Sequence, residues 1–91
     1  MPLTRDKIVG YDGARMVLRF TMLNNAEKVE CEISSAALDE LAGGRGTALA
    51  AREALFLRQR PEIERTASNI FDDDAIVRGA VVRIFAKHIR R

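Results

Sequence analysis

The sequence predicts an α+β fold, in which a small antiparallel sheet is covered on one face by two or three helices. Residues 16–23 and 28–33 alternate with the period of two that is typical of strands. Apolar residues between Leu49 and Ile70 recur at helical spacing. Residues 81–85 are β-branched or aromatic at four of five positions. A chain of 91 residues holds one hydrophobic core, so we expect a single domain over residues 1–91.

Composition favours a folded protein of the cytoplasm. A hydrophobic fraction of 47% and a charged fraction of 31% are typical of globular chains and argue against disorder. No apolar run reaches the roughly 20 residues that a membrane helix needs, and residues 1–10 lack the apolar segment of a signal peptide. Cys31, the only cysteine, cannot form an internal disulfide, so a reducing compartment fits best.

The alternating segments predict a β-hairpin whose turn is formed by residues 24–27. If Leu23 pairs with Lys28, one face of the hairpin is wholly apolar and the other is polar. In this register Phe20 lies opposite Cys31, and we expect an ion pair across the strands between Arg19 and Glu32. A shift by one residue would lose both matches, so the register is strongly specified.

Helices are expected to cover the apolar face. Ser34 and Ser35 can cap a first helix, which Gly43-Gly44 would end. A second helical pattern starts near Thr47 and contains Pro61, which either kinks it or opens a separate helix as its first residue. Leu57 falls toward the polar side of this pattern.

The C-terminal segment has two alternatives. Arg78-Gly79 is typical of a turn, and the β-branched residues after it favour a strand over residues 81–86. Asp72-Asp73-Asp74 could instead cap a helix whose tail carries Arg90 and Arg91, which suits the helix dipole. We favour the strand.

Short motifs from the hairpin to the long helix resemble the domain of unknown function 1488 family of short bacterial proteins. The matching residues are Tyr11-Asp12, 17–20, Val29, Cys31, Ile33-Ser34, Leu38, Phe56, Arg60, Ile63-Glu64, Ala67 and Phe71-Asp72. The resemblance implies a short final strand, which supports our choice for residues 81–86. Pro61 and the basic residues at 86–91 depart from the family pattern. The resemblance implies a fold and no activity.

Candidate chemistry is sparse. Cys31 points into the core of the predicted hairpin, where cysteine behaves as a small hydrophobe. The glycine-rich residues 43–47 lack the ending of a phosphate-binding P-loop, and Asp72-Asp73-Asp74 lacks the spacing of a calcium loop. We therefore expect no catalytic residues, no metal site and no cofactor.

Two groups of residues are candidates for binding. Arg60 and Glu64 are four residues apart and can form an ion pair on one helix, either as a tether or as an anion-binding arginine held by a carboxylate. Arg52 lies near the same side, which suggests a small basic groove beside Phe56. The alternative group could contact phosphates and consists of Arg83, Lys87, Arg90 and Arg91.

These observations lead us to expect a small non-enzymatic binding or interaction module of the cytoplasm. Its partner would be another protein or a second copy of the chain in a homodimer. The less favoured alternative is a nucleic-acid accessory protein that uses the basic C-terminus, because the formal net charge is only +2. An enzyme would need Asp12, Arg60 and Glu64 to converge in a pocket.

Overall fold

A computed structural model describes residues 3–42, 49–73 and 81–89. The elements in chain order are β1 (Thr4–Asp12), β2 (Val17–Asn24), β3 (Glu27–Ser34), α1 (Ser35–Leu41), α2 (Leu49–Arg58), α3 (Arg60–Asp73), β4 (Val82–Ile84) and α4 (Ala86–Ile89). The strands form one sheet in the order β1-β2-β3-β4, and the fold is α+β as predicted.

The sheet is mixed rather than wholly antiparallel. The pairs β1–β2 and β2–β3 are antiparallel, whereas β4 runs parallel to β3 with Cys31 beside Val82 and Ile33 beside Ile84. Parallel neighbours require a long crossover connection, and here the helices α1 to α3 lie between the two strands in the chain. The sequence pattern identifies a strand but not its direction, which this crossover determines.

Strand β1 was not predicted from the sequence pattern. Its pairing with β2 shifts register between Arg5 and Ile8 and again between Ile8 and Gly10. Such bulges interrupt the period of two by which strands are identified. Gly10 adopts a φ of 136°, a backbone conformation that residues with a side chain rarely adopt.

The predicted hairpin register is confirmed at every pair from Leu18–Ile33 to Leu23–Lys28. The turn is tighter than predicted, because residues 24 and 27 also pair and Asn25 takes a left-handed φ of 58°. The predicted ion pair between Arg19 and Glu32 is wrong in its acidic partner. Arg19 lies opposite Glu32 along the backbone, but its guanidinium reaches diagonally to Glu30 at 3.3 Å.

The first helix begins at the predicted cap, and the long helical pattern is interrupted near Pro61 as predicted. Ser34 caps α1 by accepting a hydrogen bond from the Ala37 amide at 3.1 Å. The long helical pattern is split, with Pro61 as the second residue of α3 rather than its first. Hydrogen bonds from the Gln59 amide to the Leu55 carbonyl and from the Ile63 amide to the Gln59 carbonyl cross the break. The predicted end of α1 at residues 43–44 lies outside the described residues.

The helix alternative for the C-terminal segment is wrong, because Asp72 and Asp73 are the last residues of α3 and do not cap a helix that ends in the tail. The strand predicted over residues 81–86 is confirmed for Val82–Ile84, and the single turn α4 follows it at once. The Phe85 amide donates to Nδ1 of His88 at 2.8 Å, which caps that turn and ends the strand. The predicted turn at residues 78–79 lies outside the described residues.

The helices pack on one face of the sheet, and the core lies between them. Phe20 of β2 and Phe56 of α2 meet with ring centroids 5.0 Å apart at its centre. The largest fully buried side chains are Phe20, Phe56, Leu18, Met22, Ile33, Leu38, Ile63, Ile84, Val82 and Cys31. Among the described residues, no helix is long and apolar enough to cross a membrane.

The opposite face of β1 to β4, which we call the open face, carries polar side chains. Register places Arg19, Thr21, Glu30 and Glu32 there, and Arg83 beside Glu32. The core residues of the same strands point to the helices, because side chains alternate along a strand.

Candidate binding sites

Glu64 joins α3 to β1 through two arginines, in an arrangement that we call the Glu64 clamp. Its carboxylate accepts from Arg60 Nε at 2.9 Å and from Arg5 Nε and Nη2 at 2.8–3.0 Å. The Arg60 guanidinium lies 5.9 Å from the centroid of the Phe56 ring and donates to the Asp6 carbonyl at 3.4 Å. Hydrogen bonding to Glu64 raises the pKa of Arg5.

The predicted pair Arg60 and Glu64 therefore forms, but it is engaged within the chain. Both side chains are mostly buried, at 15% and 12% exposure, and Arg5 shares the same carboxylate. This geometry is that of a tether between helix and strand. Arg5 has no signal of its own in the sequence, because its partner Glu64 lies 59 residues further along the chain.

Arg52 of α2 belongs to a second group at the other end of β1. Its Nη1 donates to the Tyr11 hydroxyl at 2.5 Å, and its guanidinium carbon lies 5.2 Å from the centroid of the Tyr11 ring. The Tyr11 hydroxyl lies 2.8 Å from Ser35 Oγ, which in turn donates to the Met16 carbonyl at 2.9 Å. Because Ser35 donates to Met16, Tyr11 is the donor to Ser35.

The two predicted binding arginines do not share a groove. Arg52 contacts Tyr11, whereas Arg60 contacts Asp6 on the same strand. Five residues of extended strand span about 16 Å. Arg60 lies over the Phe56 ring, whereas Arg52 lies over the Tyr11 ring. The structure thus separates one predicted basic groove into a clamp and an independent arginine site.

The open face carries a group that the sequence reasoning missed, which we call the arginine cluster: Arg15, Arg19 and Arg83 around Glu30 and Glu32. Arg15 binds Glu32 through Nη1 at 3.0 Å and Nη2 at 2.9 Å. Arg83 binds it through Nε at 3.0 Å. The Glu32 side chain is 5% exposed, while those of Arg15 and Arg83 are half exposed. The long side chains of these two arginines cover the carboxylate.

The arginine cluster changes the assignment of the basic C-terminal residues. Arg83 is fixed on Glu32 in the sheet, and Lys87 is exposed on α4. Arg90 and Arg91 lie outside the described residues. Of the four cations predicted to contact phosphate, the structure describes two. Arg83 is already paired with Glu32, whereas Lys87 is exposed.

Cys31 has the environment predicted for it. It is buried, and its thiol lies 3.7 Å from the Val29 carbonyl. Burial, followed by the nearby charge of Glu30, raises the pKa of the Cys31 thiol to about 12. Within residues 3–42, 49–73 and 81–89, no three His, Cys, Asp or Glu side chains are grouped so that they could hold a metal ion. The glycine-rich residues 43–47 and Asp74 lie outside these ranges.

Comparisons with known proteins agree with the resemblance in the sequence. The family model described as Protein of unknown function (DUF1488) matches residues 5–82. The fold is similar to the crystal structure, at 1.60 Å resolution, of a protein of unknown function from the DUF1488 family from Shewanella loihica PV-4. That similarity has a TM-score of 0.73 at 19% sequence identity and covers 91% of this chain and 89% of the other. No curated protein matches the chain. The chain belongs to the DUF1488 family, as its motifs predicted.

Proposed function

We propose that the protein is a non-enzymatic binding module that holds an acidic segment of a partner protein on the open face of its sheet. The observation that carries this proposal is the arginine cluster. The carboxylate of Glu32 is buried while Arg15 and Arg83 above it are half exposed, so the charge accessible to a partner over Glu32 is positive. Carboxylates are the protein groups that pair best with a guanidinium.

The cluster is organised before any partner arrives. Glu32 holds Arg15 in a bidentate pair and fixes Arg83 through Nε alone. Arg83 keeps its two terminal nitrogens without a partner among the described residues, so they are available as donors. Side chains held in one conformation lose little entropy on binding, and this preorganisation favours affinity.

The character of the face favours a protein over a nucleic acid. Asp6 and Glu30 stand among the cations, so the positions that favour an anion are separate, which suits the spaced carboxylates of a peptide better than a continuous phosphate backbone. On this face β1 to β3 carry no aromatic side chain on which bases could stack.

The sheet edges are poor alternatives for the partner. The outer strand β1 contains two register shifts and several charged residues, and the other outer strand, β4, has three residues. Bulges, charges and shortness all oppose the addition of a further strand. The open face therefore remains the better supported surface.

The experiment measures binding of a fluorescein-labelled, glutamate-rich peptide by fluorescence anisotropy at about 0.15 M salt, where distant charges are screened. The double variant Arg19→Gln/Arg83→Gln tests the cluster. The matched control, Arg58→Gln/Arg65→Gln, removes the same charge from the exposed surface of the helices. We expect affinity to fall about tenfold in the first variant and to change little in the control.

Equal weakening in both double variants would identify nonspecific charge attraction and overturn the proposal. Single-stranded and duplex oligonucleotides of matched charge are measured in parallel. Stronger binding to these, lost when residues 87–91 are removed, would replace the proposal by the nucleic-acid alternative. Phosphate contacts would then show a steep decrease of affinity with salt.

A further inference from the structure

Phe85 differs from the other phenylalanines of the chain in its exposure. Of the four, Phe20 and Phe56 are buried and Phe71 packs against the core, whereas Phe85 is 46% exposed. A single exposed apolar side chain is ordinary on a protein surface. Its meaning therefore depends on the groups that surround it.

The surroundings of Phe85 include the arginine cluster. Ile84 is fully buried, and side chains alternate along a strand, so Arg83 and Phe85 lie on the same, open face. Alternate residues of a strand are about 7 Å apart. The Arg83 guanidinium binds Glu32 through Nε alone. This part of the open face thus combines a donor for a carboxylate with an apolar surface.

The Phe85 ring is held by contacts within the chain. It stacks on the imidazole of His88, with centroids 5.9 Å apart and planes inclined by 27°. The Phe85 amide donates to Nδ1 of the same histidine at 2.8 Å, so His88 holds both the ring and its backbone. An aromatic side chain held in this way offers contact area to a partner at little cost in conformational entropy.

We propose that Phe85 determines the specificity of the open face by binding an apolar side chain that lies two residues from a carboxylate held by Arg83. This inference rests on the proposed function and specifies the segment that the open face binds. An extended segment presents alternate side chains on one side at about the spacing that separates Arg83 from Phe85. The partner segment therefore combines acidic and apolar residues and is not uniformly acidic.

An apolar side chain fits the Phe85 ring better than a further carboxylate does. The face of an aromatic ring is the negative part of its quadrupole and repels an anion. A nucleic-acid base could stack on the ring, but β1 to β3 offer no other aromatic side chain on this face for the bases that follow. Contact with an aliphatic or aromatic residue of a protein is the better supported use of this ring.

The experiment compares three fluorescein-labelled acidic peptides of equal charge by fluorescence anisotropy at about 0.15 M salt. In the first peptide, leucines lie two residues before and two residues after a central glutamate, so either chain direction offers one to Phe85. The second peptide has serine at both positions. In the third, the leucines are adjacent to the central glutamate and point to the opposite side of an extended segment. We expect the first peptide to bind about tenfold more tightly than the other two.

The variant Phe85→Ser should lower the affinity for the first peptide to that for the second and leave the second unchanged. Phe85→Leu keeps an apolar side chain and should retain most of the preference. The matched control Leu57→Ser removes an exposed apolar side chain from α2 and should change neither affinity. Thermal unfolding checks that each variant is folded. If Phe85→Ser does not fold, the three peptides still test the spacing on the wild type.

Equal affinity of the wild type for the first two peptides, or an unchanged preference in Phe85→Ser, would overturn this inference. The proposed function would survive either result if Arg19→Gln/Arg83→Gln weakened all three peptides. No effect of that double variant would overturn the proposed function instead, together with the pairing of a carboxylate and an apolar side chain. Tighter binding of a single-stranded oligonucleotide of matched charge, lost in Phe85→Ser, would assign the ring to base stacking and also overturn the inference.

Discussion

The covered face and the open face of the sheet are formed by alternate residues of the same strands, yet they are stabilised differently. Cys31 and Ile33 on the covered face belong to the apolar core and are almost completely buried. Glu32 lies between them in the chain and is equally inaccessible, but two arginine side chains cover it. Equal burial therefore does not mean equal energetic sensitivity, because a cover of mobile, hydrated side chains can rearrange and a packed core cannot.

The largest expected effect is on the covered face. Replacing Cys31 by Asp places a carboxylate among apolar side chains with no cation to pair with, and should lower the free energy of unfolding by about 3–5 kcal/mol. Urea denaturation followed by circular dichroism measures the loss. The control Cys31→Ala keeps the site apolar and should cost much less. A similar loss in both variants would contradict the assignment of Cys31 to the core.

The ionisation of Cys31 gives a second test of its assignment to the core. Its pKa is raised from 9.0 to about 12 in the folded protein, so the folded state holds this proton more tightly than the unfolded state. The resulting stabilisation is complete below pH 9 and should be lost as pH rises from about 9 to about 12. Unfolding free energies measured over this range for the wild type and Cys31→Ala should diverge. Parallel curves would show that the thiol is accessible to water.

On the open face, Glu32→Gln should cost about 1–2 kcal/mol, although Glu32 is as buried as Cys31. The arginines that lose their charge partner are half exposed and are solvated by water instead. Thermal unfolding of Glu32→Gln beside Glu30→Gln, an exposed carboxylate on the same strand, measures the difference. A loss as large as that of Cys31→Asp would remove the distinction between the two faces.

The smallest effect on stability is expected at Leu57, which is 52% exposed on α2. Leu57→Asp should change the free energy of unfolding by less than about 0.5 kcal/mol. Its effect on assembly should be greater if the chain forms the symmetric homodimer that we expect from its small size and exposed leucine. Sedimentation of the wild type as a monomer of 10.1 kDa at high concentration would exclude this dimer.

The parts of the fold that could be predicted are those specified by neighbours in the sequence. The register of β2 and β3 follows from alternation on both sides of a short turn, and the start of α1 follows from Ser34. Strand β1 was missed because its bulges break that alternation. The direction of β4 depends on a crossover of three helices, which no local pattern records.

The candidate sites follow the same rule. The contact between Arg60 and Glu64 lies within one helical turn and was predicted, whereas Arg52 meets Tyr11 across 41 residues and Arg83 meets Glu32 across 51. Such contacts depend on how the elements pack. The sequence marked Arg52 and Arg83 as candidates, but only the fold shows that Arg83 pairs with Glu32 and that Arg52 contacts Tyr11.

The parallel pairing of β4 with β3 also has a consequence for the order of folding. The hairpin of β2 and β3 closes a two-residue turn and can form within microseconds. Residue 31 can pair with residue 82 only after the helices between them have brought the chain ends together, and such long loops close at a greater entropic cost. The outer edge of β3 is therefore the last backbone of the sheet to find its hydrogen bonds. During that interval the charged side chains of Arg19, Glu30 and Glu32 lie along this edge and oppose its pairing with the edge of another molecule.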